Sequence, residues 1–207
     1  MFVKVCGVTR PADAVAAIDA GADALGLNFV PSSRRRIDVA AARAIVAVVP
    51  DHVMTVGVFR DQPVDEVLAI TGELGLDAAQ LHGDEPPEAT AAVAAGVGTV
   101  IKAVAAGTPA ADAVGDHAAD IVLLDAPEPG GGITFDWGLV GDLVARHDVL
   151  LAGGLAPDNV GDAVRRVRPW GVDVASGVES APGCKDASLM ARFVSEAHAA
   201  THRASTA

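Results

Sequence analysis

A lysine and a cysteine two residues apart, Lys4 and Cys6, sit in the apolar run Phe2–Val8, and an aspartate, Asp125, follows the run Ile121–Leu124. In a strand, alternate side chains share a face, so Lys4 and Cys6 point one way while Val3 and Val5 point the other. A thiolate can take a proton from carbon, and a carboxylic acid can deliver one to oxygen. A free thiol titrates near about pH 8.5, so Cys6 needs help to act near neutrality, and the Lys4 charge is placed to give it. Each residue also has an ordinary reading. Cysteine is commonly buried and inert, and Asp125 is equally well explained by hydrogen bonds to its own loop.

Other polar groups follow other apolar runs. Gly153-Gly154 and Ser176-Gly177 come after the last two, where backbone N–H groups of a (β/α) barrel often cradle a phosphate, although two ordinary βα turns would favour glycine as well. Arg34-Arg35-Arg36 follows the second run. Such a triplet is usually a solvated face, yet one guanidinium fork, that of Arg35, suits a substrate carboxylate. His82, in Gln80-Leu81-His82-Gly83, is either a ligand contact or a rim histidine bonded to backbone. Asp173 shares inward parity with Lys4 on a strand that becomes its neighbour if a barrel closes, which predicts an interior Lys4–Asp173 pair. Lys102 reads as a further interior cation, and Asp136 as the N-cap of the sixth helix.

Eight short apolar runs carry these residues, alternating with amphipathic stretches that open at Pro11, Pro86-Pro87 and Pro157. Strand–helix alternation implies βαβ units and a parallel sheet. Eight units without a linker-like shift in composition imply an α/β chain, a single-domain (β/α)8 TIM barrel over 1–207, with a fraying tail from about residue 199. A Gly-x-Gly-x-x-Gly turn of the doubly wound type is missing; Gly130-Gly131-Gly132 has the wrong spacing. The hydrophobic fraction of 51% fits strands buried on both faces. A net charge of −12 argues against nucleic-acid partners and requires any anion site to supply its own positive charge. Two cysteines, Cys6 and Cys184, make neither a disulfide framework nor a metal-ligand spacing. Neither a signal-type segment nor an 18-residue apolar run occurs, so no membrane partner and a cytoplasmic location are expected. A monomer is the default, with a homodimer left open.

Taken together, these segments resemble phosphoribosylanthranilate isomerases of tryptophan biosynthesis. The likeness rests on Lys4-Val-Cys-Gly-Val-Thr-Arg10, Ser33-Arg-Arg-Arg-Ile37, Gln80-Leu-His-Gly83, Leu123-Leu-Asp125, Phe135-Asp-Trp137, Leu151-Ala-Gly-Gly-Leu155 and Val172-Asp-Val-Ala-Ser-Gly-Val-Glu179, in order along nearly the whole chain. The resemblance implies an intramolecular oxidoreductase that performs an Amadori rearrangement with no cofactor and no metal. N-(5-phosphoribosyl)anthranilate, a small phosphorylated anthranilate, becomes 1-(2-carboxyphenylamino)-1-deoxyribulose 5-phosphate. It further implies Asp125 as general acid, Cys6 as general base, Arg35 on the anthranilate carboxylate and the glycine pairs on phosphate. Three features depart from the family pattern: Arg36 stands where an aromatic residue is frequent, the loop between Asp125 and Phe135 is short, and Cys184 replaces a lysine or polar residue. Because Cys184 follows the strand next to Cys6, a disulfide between them is conceivable. The rivals are a phosphosugar isomerase of the histidine-pathway type, which commonly has an aspartate where Cys6 stands, and a non-catalytic phosphate-binding barrel.

Overall fold

The computed structural model describes residues 1–126 and 136–204. Eight parallel strands close into a barrel in sequence order. They are β1 (Phe2–Cys6), β2 (Ala24–Asn28), β3 (Met54–Phe59), β4 (Ala78–Leu81), β5 (Thr99–Ala105), β6 (Ile121–Asp125), β7 (Val149–Leu151) and β8 (Gly171–Val174). Helices α1 (Pro11–Asp19), α2 (Val39–Val46), α3 (Val64–Leu74), α4 (Pro87–Ala94), α5 (Pro109–Asp112), α6 (Gly141–Val144), α7 (Val160–Val167) and α8 (Ala187–Ala204) alternate with them. A short antiparallel pair, β9 (Glu179–Ala181) and β10 (Cys184–Lys185), follows β8.

The prolines act as their rigid φ dictates. Pro11 and Pro87 occupy first-turn positions of α1 and α4, where a missing N–H costs nothing. Asp136 caps a 3₁₀ turn, Trp137–Val140, that leads into α6, its Oδ1 accepting from the Gly138 N–H at 2.9 Å. Helix α8 runs through the alanine-rich stretch where composition suggests fraying and continues to Ala204. Ala197 and Ala200 are buried and pack the helix as far as residue 200.

Alternation along each strand divides the apolar residues into two cores. The larger lies between the strands' outer faces and the helices, and includes Val3, Val5, Ala14, Ala17 and Phe193. The smaller fills the barrel with Ala24, Val56, Ala78, Ile101, Leu123 and Leu150. Three aspartates at the strands' N-terminal rim tie neighbouring strands together. Asp23, Asp77 and Asp120 each stand just before a strand, and their Oδ2 atoms accept from the backbone N–H of Val3, Thr55 and Val100 at 2.8, 2.7 and 2.8 Å.

At the β1–β8 seam Lys4 stands opposite Asp173 in register, and Lys4 Nζ donates to Asp173 Oδ1 at 2.7 Å. Lys4 has 0% exposure, so the two charges satisfy one another away from water. Lys4→Met leaves a buried carboxylate without its cation. It should lower unfolding free energy by about 3–5 kcal/mol in urea titrations, and Lys4→Met combined with Asp173→Leu should recover much of that loss.

Lys102 departs from the expected interior position. Ile101 and Ala103, its neighbours on β5, belong to the barrel interior, so Lys102 points outward. It is buried there against the β4–α4 loop, donating to Glu85 Oε2 at 2.6 Å and to the Gly83 carbonyl at 2.7 Å. Glu85 also accepts from the N–H groups of Asp61 and Gly83, so this pair organises a loop rather than the barrel centre.

Candidate active site

Cys6 ends β1 on the inner face, directly above Lys4. Its register partner on β2 is Gly26, where a methyl group would come within 2.8 Å of Cys6 Sγ, so the glycine leaves the space that the sulfur fills. Burial raises the Cys6 pKa above its ordinary value. The Lys4 charge opposes that rise, Asp173 reinforces it, and Lys185 opposes it from the other side. The Lys4 ammonium feels burial as a downward pull, yet Asp173 and then Cys6 outweigh it and hold the amine charged. The thiol thus has a permanent cation beside it, as a thiolate base requires.

Asp125 ends β6 on the same rim and is 8% exposed. Its Oδ1 accepts from the Ala126 N–H at 2.7 Å, and its Oδ2 faces His82 Nε2 at 3.3 Å. The loop bond therefore takes only one carboxyl oxygen, and the other is left at the cavity. Of the two alternatives read from sequence, the rim histidine bonded to backbone is displaced, while a ligand contact stays open because His82 lines the cavity at the barrel mouth. Its ring nitrogens face side chains, Nε2 on Asp125 and Nδ1 on Gln80 Nε2 at 3.0 Å.

The arginine triplet divides by direction: Arg34 and Arg36 are exposed and Arg35 turns inward. Arg35 Nε and Nη2 donate to Glu179 Oε1 and Oε2 at 2.7 and 2.8 Å. Lys185 Nζ donates to the same Glu179 Oε1 at 3.0 Å and to the Ala175 carbonyl at 2.9 Å. Burial alone would raise the Glu179 pKa; Arg35 and Lys185 overcome it, and the carboxyl stays below its usual range. Two cations and one anion leave this cluster with a net positive charge beside the cavity, and the unbound edge of the Arg35 fork retains free donors. Sequence reasoning passed over Glu179 and Lys185 as site residues. Each is a single charge beyond the last barrel strand, and only the β9–β10 hairpin brings them back.

Gly153 and Gly154, after β7, have φ of +80° and +64°, a left-handed conformation that other residues adopt at a cost. Asn159 braces this turn, its Nδ2 donating to the Gly154 carbonyl at 2.9 Å and its Oδ1 accepting from the Ala156 N–H at 2.8 Å. Ser176-Gly177-Val178 forms a 3₁₀ turn after β8. A methyl group on Gly177 would overlap the Leu155 carbonyl oxygen, so glycine there lets the two loops meet.

These groups border a cavity of about 850 Å³ at the C-terminal mouth of the barrel. Cys6, Arg35, His82, Asp125, Gly153, Gly154, Asp173 and Ser176 line it, while Gly177 shapes the loop behind. Cys6 and Cys184 are both free thiols, so the conceivable disulfide is not made. The loop 126–134, with its glycine triplet, lies almost entirely outside the described residues. Among the described residues, no group of His, Cys, Asp or Glu is arranged to hold a metal ion, and no helix is long and apolar enough to cross a membrane.

The model of the N-(5'-phosphoribosyl)anthranilate (PRA) isomerase family matches residues 3–196. The chain belongs to that family. The isomerase of Myxococcus xanthus is 50% identical over 204 residues, covering 93% of each chain. The crystal structure of the phosphoribosyl anthranilate isomerase from Thermus thermophilus superposes with a TM-score of 0.90 at 44% identity, covering 96% of this chain and 99% of that one. A phosphoribosyl anthranilate isomerase solved with reduced 1-(o-carboxyphenylamino)-1-deoxyribulose 5-phosphate has a TM-score of 0.87 at 37% identity, with the same coverage. The isomerase fold thus places the cysteine, the aspartate and the glycine turns of this chain around one opening.

The Arg35–Glu179 fork carries a measurable consequence. Glu179→Gln removes a charge-assisted clamp while nearly preserving shape. KM for the anthranilate substrate should rise about tenfold with kcat within about threefold, because the fork loses its fixed aim rather than its charge. Steady-state kinetics separate the two constants.

Proposed function

We propose that this chain catalyses the Amadori rearrangement of N-(5'-phosphoribosyl)anthranilate through Asp125 as general acid and Cys6 as general base, without cofactor or metal. The observation that carries this reading is that Cys6, next to a buried lysine, and Asp125, with one carboxyl oxygen left free by its loop, border the same cavity.

The Asp125 carboxyl gives its proton to the ribose ring oxygen, the C1–O bond breaks, and the nitrogen lone pair closes a C1=N Schiff base. Cys6 then takes the proton from C2. The electrons of that C–H bond form C1=C2, and the C=N electrons return to nitrogen, giving an enolamine. Loss of the O2 proton and protonation at C1 yield the ketone. The Lys4 ammonium supports the thiolate before this step and stays charged after it, held by Asp173.

The unbound edge of Arg35 receives the anthranilate carboxylate, and the turns at Gly153-Gly154 and Ser176-Gly177 hold the phosphate with backbone N–H groups. The buried cations near the mouth offset the field of an acidic protein at the place where the anionic substrate must bind. A cytoplasmic location accompanies this reading, with a monomer as the default state and a homodimer compatible with it.

The test is a fluorescence assay of phosphoribosylanthranilate consumption by the purified protein, with the aminoimidazole carboxamide substrate of the histidine-pathway isomerases as the comparison. Turnover confined to the anthranilate substrate supports the proposal. Turnover of the imidazole substrate alone, or binding of either without reaction, overturns it.

A further inference from the structure

Gln80 is almost wholly buried at 1% exposure, on the inner face of β4 beneath His82, and its Oε1 has no hydrogen-bond partner among the described residues. An orphaned amide oxygen in a barrel interior is costly, and rotating the amide by half a turn would relieve it: Oε1 would then meet His82 Nδ1. The rotated arrangement fails one bond further on. It requires a proton on Nδ1, which turns the bare Nε2 lone pair of a neutral imidazole toward Asp125 Oδ2, 3.3 Å away. Once Asp125 has given up its proton, that contact sets a lone pair against a carboxylate. With the Gln80 amide nitrogen on Nδ1 at 3.0 Å, Nδ1 accepts, the imidazole proton sits on Nε2, and His82 turns that N–H toward Oδ2, 3.3 Å away. The other carboxyl oxygen already takes the Ala126 N–H at 2.7 Å. A donor then faces each oxygen of the carboxylate formed on proton transfer, ready to close on Oδ2 as its charge develops.

We infer that Gln80 is a positioning residue: its amide N–H fixes His82 as the Nε2–H tautomer, so that His82 stabilises the Asp125 carboxylate left when the sugar ring opens. This inference rests on Asp125 as the acid and adds how its conjugate base is held. The orphaned Oε1 is the cost of keeping that amide orientation. Sequence offers no signal for it, because a glutamine on an inner strand face reads as one more polar group at the rim. Its effect passes through two side chains before reaching the reacting atoms.

The test is a long-range proton–nitrogen correlation spectrum of the enzyme labelled with ¹⁵N in histidine, with the His82 signals identified by their loss in His82→Asn. The expected spectrum shows a neutral ring protonated at Nε2. Gln80→Glu, the same size but accepting only, should move the proton to Nδ1 or charge the ring, and should lower kcat at least about tenfold with KM little changed. In a His82→Asn background the same change should alter kcat by less than about twofold, because the residue through which it acts is gone. Gln80→Met, apolar and of similar size, repeats the cycle should the glutamate variant not fold. A wild-type ring protonated at Nδ1, or a Gln80 effect equal in both backgrounds, overturns the inference. Should Asp125→Asn keep wild-type turnover, the acid assignment beneath it fails instead, whatever the His82 spectrum shows.

Discussion

Asp125→Asn is expected to lower kcat by about 10²–10⁴-fold while the affinity for a reduced product analogue changes by less than about threefold. The amide is isosteric. Its oxygen can still accept the Ala126 N–H now held at 2.7 Å, so the β6 terminus keeps its local bond. What disappears is the only proton the carboxyl could give to the ring oxygen. Without that proton the C1–O bond must break toward an uncompensated alkoxide, and the barrier rises for the opening step alone. The contacts proposed for phosphate and carboxylate come from the turns after β7 and β8 and the loop after β2, and because the Gly153 turn packs on Ala126, binding survives only if the amide keeps the Ala126 N–H bond as expected. Steady-state turnover by fluorescence, paired with a titration of the analogue, reads both quantities on one preparation. A variant that keeps a tenth or more of wild-type turnover would remove Asp125 from the mechanism. Equal losses of turnover and affinity would assign it to binding.

Cys6→Ser should be comparably damaging, lowering kcat by about 10²–10⁴-fold, for a different reason. A serine hydroxyl fits the space left by Gly26 and sits over the same lysine. It is a far poorer source of an anionic base, because an alcohol does not ionise in the range where a thiol does. The deprotonation of C2 then lacks a base while ring opening is intact. Substrate deuterated at C2 should therefore show a larger isotope effect on the variant than on the wild type. An unchanged isotope effect with unchanged rate would mean that some other group removes that proton.

The barrel was legible because each of its eight strands is a short apolar run bounded by turn-forming residues, and hydrophobic period alone reports that. The interior Lys4–Asp173 pair was legible for a related reason: alternation puts both side chains inside, and closure makes β1 and β8 neighbours. Lys102 was misplaced because parity must be counted from the observed strand, and Ile101 and Ala103 take the interior. Cys6 and Asp125, the pair proposed as base and acid, stood out because each lies at a strand end, where sequence position translates directly into place on the rim. Glu179, Lys185 and Asn159 did not, because loops and a hairpin deliver them, and tertiary contacts rather than local pattern set where they go. His82 was assigned to the rim, and its contact with Gln80 follows from alternation along one strand, but its approach to Asp125 is set by the barrel's closure from β4 to β6.

Burial raises the Cys6 thiol more than Lys4 lowers it, so the reactive thiolate forms as pH rises through a value above the ordinary thiol range, and activity that depends on it rises in the same direction. The most direct measurement compares two pH profiles of the Cys184→Ser enzyme: kcat/KM, and the rate of inactivation by iodoacetamide in the absence of substrate. The account predicts that both ascend with one shared midpoint above that of a free thiol, and that the ascending limb of kcat/KM is lost from Cys6→Ser. An ascending limb that Cys6→Ser retains unchanged would contradict it.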